Sequence, residues 1–313
     1  MVLSHRTDTT ADMVVDVLNR RGAPVFRCDT AEFPTRLQLA ARPAGRSWRG
    51  TLASSRREVA LEEISAVYYR RPTHFELDHM MSDAERAWAA DEARHGFGGV
   101  ISALACRWVN HPADNTAAAM KPVQLAAAGA VGLAVPDTLV TNDPDAAAAF
   151  LEEHPDGVVN KALSGSPGIT GHALFTRAVT LADITATSVS ATAHLLQARV
   201  KRDYEVRLTI ANGRLFAARA DAIPGCEMPL DGRAEPDAVT YTPIDVPCSI
   251  EDRVHRLMDR LRLRFGAADF IVTPDGEWLF LEINPNGQWG WIQHATGQPI
   301  AEAIADDLTE KDL

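Results

Sequence analysis

From Tyr204 to Ala222 the chain reads YEVRLTIANGRLFAARADA, two alternating apolar runs on either side of Asn212-Gly213. Both central residues tolerate the positive φ of a type I′ turn, so this stretch predicts a two-residue β-hairpin. A second hairpin is predicted where FIVT and WLFLEIN flank the turn sequence PDGE, over residues 270 to 284. Two hairpins so close together require an antiparallel sheet in this half of the chain. The first residues read differently. A short strand MVLS, a helix over TADMVVDVLNRRG with Thr10 as N-cap and Gly22 as stop, and a buried strand PVFRC predict a parallel α/β unit. The expected class is therefore α/β with α+β character.

Between these ends the pattern changes twice. From 35 to 69, RLQLAAR, SWRGTLAS and AVYYRR are expected as strands added to the edge of the parallel sheet, and residues 82–106 predict a long helix. A new unit begins after His111-Pro112. Its first helix, over ADNTAAAMKPVQLAAAGAVGL, is capped by Asp114 or Asn115. The strands VPDTLVT, GVVNKAL, HALFTRAV and HLLQARV follow, with a helix over DPDAAAAFLEEHP and a Gly/Ser loop, SGSPGITG, at 164–171. Residues 223–248 are expected as loop, before a helix from about 249 to 265.

Composition excludes several classes. With 46% hydrophobic and 23% charged residues, the chain is an ordinary globular sequence. No run approaches the roughly 18–20 apolar residues of a membrane span. The first residues lack a secretory pattern, so a cytoplasmic location and no membrane partner are expected. Cys28, Cys106, Cys226 and Cys248 show no CxxC spacing, which argues against zinc and against disulfides. A net charge of −11 argues against nucleic acid as a partner. Part of that charge lies in AEAIADDLTEKDL, residues 301–313, read as a solvated helix or tail. Basic residues gather in YRR at 69–71, RVKRDYEVR at 199–207 and RVHRLMDRLRLR at 253–264. The last is read as the wet face of an amphipathic helix.

Three constellations carry chemistry. Glu282 and Asn284 are two apart on one strand and share a face, with Ile283 turned to the core. Asp269, one strand back, can join them, and such oxygens suit Mg²⁺; a solvated strand face is the plain alternative. Lys161 ends a strand directly before the Gly/Ser loop, whose backbone N–H groups can approach an anion. Lys161 and Lys121 read equally well as snorkelling surface charges. Glu205 and Arg207 share a face of the first hairpin strand, and Arg219 lies on the returning strand. Two arginines aimed into one cleft suit a carboxylate or a phosphoryl group, while salt bridges with Glu205 or Asp221 are the commoner use.

In this order, Lys121, Lys161 with its loop, QARV at 197–200, YEVR, AAR, DF at 269–270 and LEINPN at 281–286 resemble the ATP-grasp ligases over roughly residues 112–310. The resemblance implies ATP and Mg²⁺ as cofactors. Lys121 and Lys161 would hold phosphates, and the hinge with Gln197, Ala198 and Val200 would border adenine. Glu205 or Asp203 would bind ribose, Arg207 and Arg219 would serve the acyl phosphate, and Asp269, Glu282 and Asn284 would bind the metal. YYRRP at 68–72, WVNHPADN at 108–115 and the stretch from LEINPN to residue 308 are further similar to the ATP-grasp ribosomal peptide maturases, the graspetide synthetases related to microviridin ligases.

That family implies an ATP-grasp fold with a preATP-grasp α/β domain (1–112), a small central domain (113–195) and a C-terminal antiparallel-sheet domain (196–313). It implies a leader-guided ribosomal precursor peptide as partner. The activity is ω-ester or ω-amide formation from Asp or Glu carboxylates to Thr or Ser hydroxyls or Lys amines, through an acyl phosphate. A homodimer is also expected from it. Two other readings share the site residues: a ligase that adds a free amino acid to a peptide or protein carboxylate, and a nucleotide-binding peptide-recognition module without turnover. Arg70 and Arg71 line the acceptor cleft or pair structurally. The segment NGQWGW is expected to open a helix over the site, with Trp289 and Trp291 packing.

Overall fold

The structure, a computed structural model, describes residues 1–164, 175–226, 228–230 and 235–310. It begins with β1 (Val2–Ser4), α1 (Thr9–Arg20) and β2 (Arg27–Cys28), and β1 and β2 are parallel. The cap of α1 is Asp8 rather than Thr10. The Asp8 carboxylate accepts from the N–H groups of Thr10 and Ala11, while the Thr10 hydroxyl donates to Gln288 Oε1 at 3.0 Å. Gly22, at φ 70°, ends the helix as expected.

β3 (Leu37–Ala44), β4 (Ser47–Ser54) and β5 (Glu58–Ala60) form a separate antiparallel sheet rather than an edge of the parallel one. The two residues Gly45-Arg46 can only reverse the chain, so β3 and β4 pair with each other. β6 (Ala66–Arg70) returns to the parallel sheet and sits inside it, in the order β2-β1-β6-β7. α2 (Asp83–Ala93) runs through a π turn at Arg94–Gly98 into α3 (Gly99–Ser102), and β7 (Arg107–Val109) closes the unit. All four cysteines are free, and burial pushes the Cys28 thiol up to about 12.

The helix expected after residue 112 is two helices, α4 (Pro112–Ala118) and α5 (Lys121–Ala130). Pro122 has no N–H to give to the Ala118 carbonyl, which accepts from Gln124 Nε2 at 2.6 Å. The cap of α4 is His111, whose ring accepts from Ala113 N, and Asp114 and Asn115 lie inside the helix. β8 (Thr138–Thr141), α6 (Pro144–Glu153), β9 (Val158–Lys161), β10 (Arg177–Val179), α7 (Ala186–Val189) and β11 (His194–Ala198) follow. Their antiparallel sheet has the order β10-β9-β11-β8. Residues 165–171 of the Gly/Ser loop, and 172–174 of the strand expected after it, lie outside the described residues.

The last sheet is built from β12 (Tyr204–Ala211), β13 (Arg214–Ala222) and β14 (Val239–Ile244). After α8 (Cys248–Leu261) it gains β15 (Phe265–Val272) and β16 (Trp278–Asn284), giving the order β14-β13-β12-β15-β16. Asn212 and Gly213 take φ 49° and 68°, as the turn requires. β14 falls in the stretch read as loop, where Pro243 is tolerated because the strand is an edge. Val206, Leu208, Ala268, Phe270 and Ile283 turn one face of the sheet toward Val254, Leu257 and Met258 of α8. Each fully buried side chain of this size contributes about 1.5–3 kcal/mol.

The opposite face divides along its length. One end packs Phe216, Ala218 and Phe265 on Trp289, on Ile292 of α9 (Gly290–Thr296) and on Ile300 and Ile304 of α10 (Ile300–Thr309), together with Val14 and Val17 of α1. The other end is polar, with the side chains of Arg207, Asp269 and Glu282 partly exposed. α10 is not the solvated helix expected: Ile300 to Ala305 are largely buried, and Asp307, 0% exposed, holds Arg264 at 3.0 Å and the Arg107 guanidinium. Its acids are divided between faces, so its charge count says little about its exposure.

Candidate active site

At this polar end, strand register sets three charges in a row. Arg207 of β12 lies opposite Asp269 of β15, and Asp269 lies opposite Glu282 of β16. Residues directly opposite in a sheet project to the same side, so the row is a property of the pairing. Arg207 Nη1 donates to both Asp269 oxygens at 2.9 Å, and its Nη2 donates to Gln288 O at 2.9 Å. Asn284 Nδ2 donates to Glu282 Oε1 at 3.2 Å. The Lys121 ammonium, at the start of α5, contacts Glu282 Oε2. Lys121, Asp269, Glu282 and Asn284 are therefore brought together in one part of the sheet face.

Lys161, at the end of β9, faces the same field. Desolvation holds its pKa below the ordinary lysine value, Glu282 opposes that shift and Lys121 adds to it. Desolvation likewise raises Asp269, against the pull of Arg207 and with a further push from Glu282. Glu205 is also raised, first by desolvation, with Arg202 opposing and Asp269 adding. From β14, Tyr241 is pushed up to about 12 by desolvation and then by Asp269 and Glu205. Two acids, Asp269 and Glu205, and one lysine, Lys161, whose charged forms are disfavoured gather here, a pattern common at functional sites.

The donor set fits a hard cation. Asp269 and Glu282 supply carboxylate oxygens and Asn284 an amide oxygen, ligands suited to Mg²⁺. Among the described residues no three of His, Cys, Asp and Glu gather at one point, which suits an ion that takes one or two carboxylates and fills its other positions with water and phosphate. Both carboxylates are held by cationic side chains in this structure, and a divalent ion would free Lys121 for phosphate.

The other expected residues divide. Gln197 is buried and donates to Thr138 Oγ1 at 3.0 Å. Ala198 N–H donates to Asp137 O at 2.9 Å, so it is not available to a base; Val200 lies just beyond, before β12. Glu205 is gripped by Arg202, which also reaches Met228 O at 2.6 Å and Pro229 O at 2.8 Å. Arg219 does not join this group. It lies opposite Val206 and so on the other face of the sheet, where its Nε donates to Asp221 at 2.8–2.9 Å and its guanidinium sits 3.9 Å from the Tyr204 ring centroid. The two arginines expected in one cleft are on opposite faces, and the salt bridge with Asp221 is the observed use.

The parallel sheet adds residues from far away in sequence. Arg70, fully buried, donates to Asn286 O at 2.7 Å and Gly287 O at 3.2 Å and also contacts Gln288. It is a structural clamp on the segment after β16. Arg71 donates from Nε to Asn286 O at 2.9 Å. Trp289 is buried as expected, whereas Trp291 is 42% exposed and meets Tyr241 edge-on.

Two residues that sequence reasoning did not select support the strand that carries Glu282 and Asn284. Gln124 accepts from Ile283 N at 2.9 Å and donates to Ile283 O at 2.8 Å, acting as a partner strand for the edge between Glu282 and Asn284. It ties the helix of Lys121 to the strand of Glu282. A polar side chain in an otherwise apolar helix was the available signal. Asn110 donates to Asn115, Phe265 O and Pro285 O and accepts from the N–H groups of Arg264 and Phe265. No local pattern marks it.

Gly287 is fixed by space. A Cβ there would lie 2.4 Å from Ala267 Cβ and 3.1 Å from Arg207 Nη2 and Asn284 Cβ. Gly287→Ala should therefore displace the segment that Arg207 grips. We expect a cost of about 1–3 kcal/mol in denaturant titration and a drop in kcat of about tenfold.

Comparison with known proteins agrees with this layout. A family described as the MvdD pre-ATP grasp domain matches residues 1–116. No curated protein matches the chain. Among solved structures, macrocyclase MdnC from Microcystis aeruginosa MRC, bound with precursor peptide MdnA, is 30% identical, covers 99% of each chain and has a TM-score of 0.87. Macrocyclase MdnB from the same organism is 30% identical, covering 99% of this chain and 98% of that one, with a TM-score of 0.82. A RiPP-associated ATP-grasp ligase from Chryseobacterium gregarium, in complex with ADP and a leader and core peptide, is 25% identical. It covers 100% and 96% of the two chains, with a TM-score of 0.88.

Proposed function

For a chain that belongs to the ATP-grasp ribosomal peptide maturases, we propose an ADP-forming ligase that crosslinks side chains within a leader-guided precursor peptide. An Asp or Glu carboxylate of the peptide is joined to a Thr or Ser hydroxyl or a Lys amine, giving an ω-ester or ω-amide. The observation that carries this reading is the row Arg207–Asp269–Glu282 with Lys121 and Lys161 turned toward it.

The residues divide the work by charge. Asp269, Glu282 and Asn284 supply oxygens for Mg²⁺, which when bound offsets charge on the ATP phosphates. Lys121 and Lys161 hold phosphate oxygens by charge-assisted hydrogen bonds. The hinge at Gln197 to Val200 borders the base, and Glu205 takes the ribose. A peptide carboxylate oxygen attacks the γ-phosphorus, the bond to the β-phosphate oxygen breaks, and ADP and an acyl phosphate result. Arg207 holds that anhydride while the hydroxyl or amine attacks the acyl carbon. Phosphate then leaves with the bonding electrons, and the nucleophile's proton passes to solvent or phosphate. Catalysis here is positioning and electrostatics. No helix among the described residues is long and apolar enough to cross a membrane, and a reaction drawing on ATP fits the cytoplasm.

The test is to incubate the protein with the small peptide encoded beside its gene, ATP and Mg²⁺. The expected product has lost one water per crosslink, with one ADP released for each. Gain of an amino-acid residue mass would favour free amino-acid ligation instead. Nucleotide binding without ADP release would favour a recognition module.

A further inference from the structure

We propose that Arg71, from the parallel sheet, is the second arginine of this active site and that it grips the reacting side-chain carboxylate of the peptide. The proposal rests on the ligase reading above. It begins from a vacancy in the expected machinery, because Arg219 is turned to the other face of the sheet and is engaged with Asp221. Arg207 is committed to Asp269 through Nη1. A carboxylate approaching the phosphates needs a cation that is held in place but has donors to spare.

Arg71 meets both conditions. It follows β6 at the C-terminal end of a parallel strand, the edge where α/β sheets present ligand groups. Its backbone is left-handed, at φ 44°. That conformation is uncommon for a residue with a side chain. The turn sends its side chain along the segment after β16, where Nε donates to Asn286 O at 2.9 Å. This bond steadies the guanidinium from one side. Among the described residues its Nη groups make no hydrogen bond and no carboxylate lies within ion-pair distance. Two parallel N–H donors on a planar group are the geometry that recognises a carboxylate.

Its surroundings favour an arriving anion. Arg71 reaches solvent, yet desolvation lowers its pKa, with Arg70 and Arg207 adding repulsion. Asp8, the acid that opposes them, is occupied as the cap of α1. Arg207 donates to Gln288 O and Arg71 to Asn286 O, so the two arginines bracket Gly287. An anion over that glycine would be attracted by both, beside the oxygens of Asp269, Glu282 and Asn284. Arg70 cannot serve this way, because it is wholly buried beneath the same segment.

The left-handed backbone supplies a clean test. Glycine accepts φ 44° without strain, so Arg71→Gly removes the guanidinium while leaving the fold at least as stable. The expected result is an unchanged or raised Tm and an unchanged KM for ATP. The KM for precursor peptide should rise about 10- to 100-fold, measured by peptide-dependent ADP release. Arg71→Lys, with charge but no planar fork, should recover part of the loss, and Arg219→Ala should change peptide KM less than about threefold. If wild type turns over and Arg71→Gly keeps its peptide KM and kcat, or raises the KM of ATP equally, the assignment is wrong. If wild type forms no ADP with peptide, the ligase reading falls and this proposal with it.

Discussion

Glu282→Gln should lower kcat by about 10²- to 10³-fold while leaving thermal unfolding nearly unchanged. The substitution keeps the shape of the side chain and the bond from Asn284 can persist, but a formal charge disappears between Lys121 and Asp269. Two effects follow in opposite directions. Asp269 loses the neighbour that pushes its pKa up and ionises more readily, which partly preserves a cation site. The proposed Mg²⁺ site loses one of its two carboxylates, and the charge lost is the one facing Lys121. The second effect dominates, because affinity for a hard divalent ion depends on ligand charge. Turnover against Mg²⁺ concentration should show a midpoint moved to higher metal as well as a lower plateau. An unchanged plateau and midpoint would remove Glu282 from the metal site.

Asn110→Leu should destabilise the protein by about 3–5 kcal/mol, a size reserved for broken buried networks. The new side chain is similar in shape but cannot donate or accept. It strands the N–H groups of Arg264 and Phe265 and the carbonyls of Phe265 and Pro285, each costing about 1–3 kcal/mol where water cannot reach it. Local relaxation recovers some of that sum. Equilibrium denaturation gives the number directly, and a loss below about 1 kcal/mol would mean the network is dispensable. Activity should fall beyond what unfolding accounts for, because Asn110 holds the start of β15 and the segment leaving β16, the strands that carry Asp269 and Glu282.

What could be read from the sequence depends on the distance over which each residue acts. Glu282, Asn284 and Asp269 were legible because a period of two and one short turn place them together. The position of Arg219 was also legible, yet misread. With Asn212-Gly213 as a two-residue turn, Ala211 pairs with Arg214, and counting back sets Arg207 opposite Ala218. A one-residue offset in register changes the face. β14 was hidden because VTYTPI is short and contains proline. The break before α5 was missed, because the stretch was read as one helix, although Pro122 was the signal for it. Asn110 and Gln124 act across 155 and 159 residues, and no local pattern encodes such a bond. Lys121 and Lys161 could be read as candidate phosphate ligands only through the order in which they precede the strands.

The packing of α10 against α1 also bears on how the protein is made. Val14 and Val17 share a core with Ile300, Ile304 and Leu308, so α1 has no complete partner until residue 308 is synthesised. At about 5–20 residues per second, that is a wait of roughly 15–60 s with an apolar face open. Elongation speed and chaperone cover should therefore govern the yield of active protein more than its equilibrium stability does. Slowing translation of the stretch that leads to residue 308 should raise the aggregated fraction without changing a single side chain.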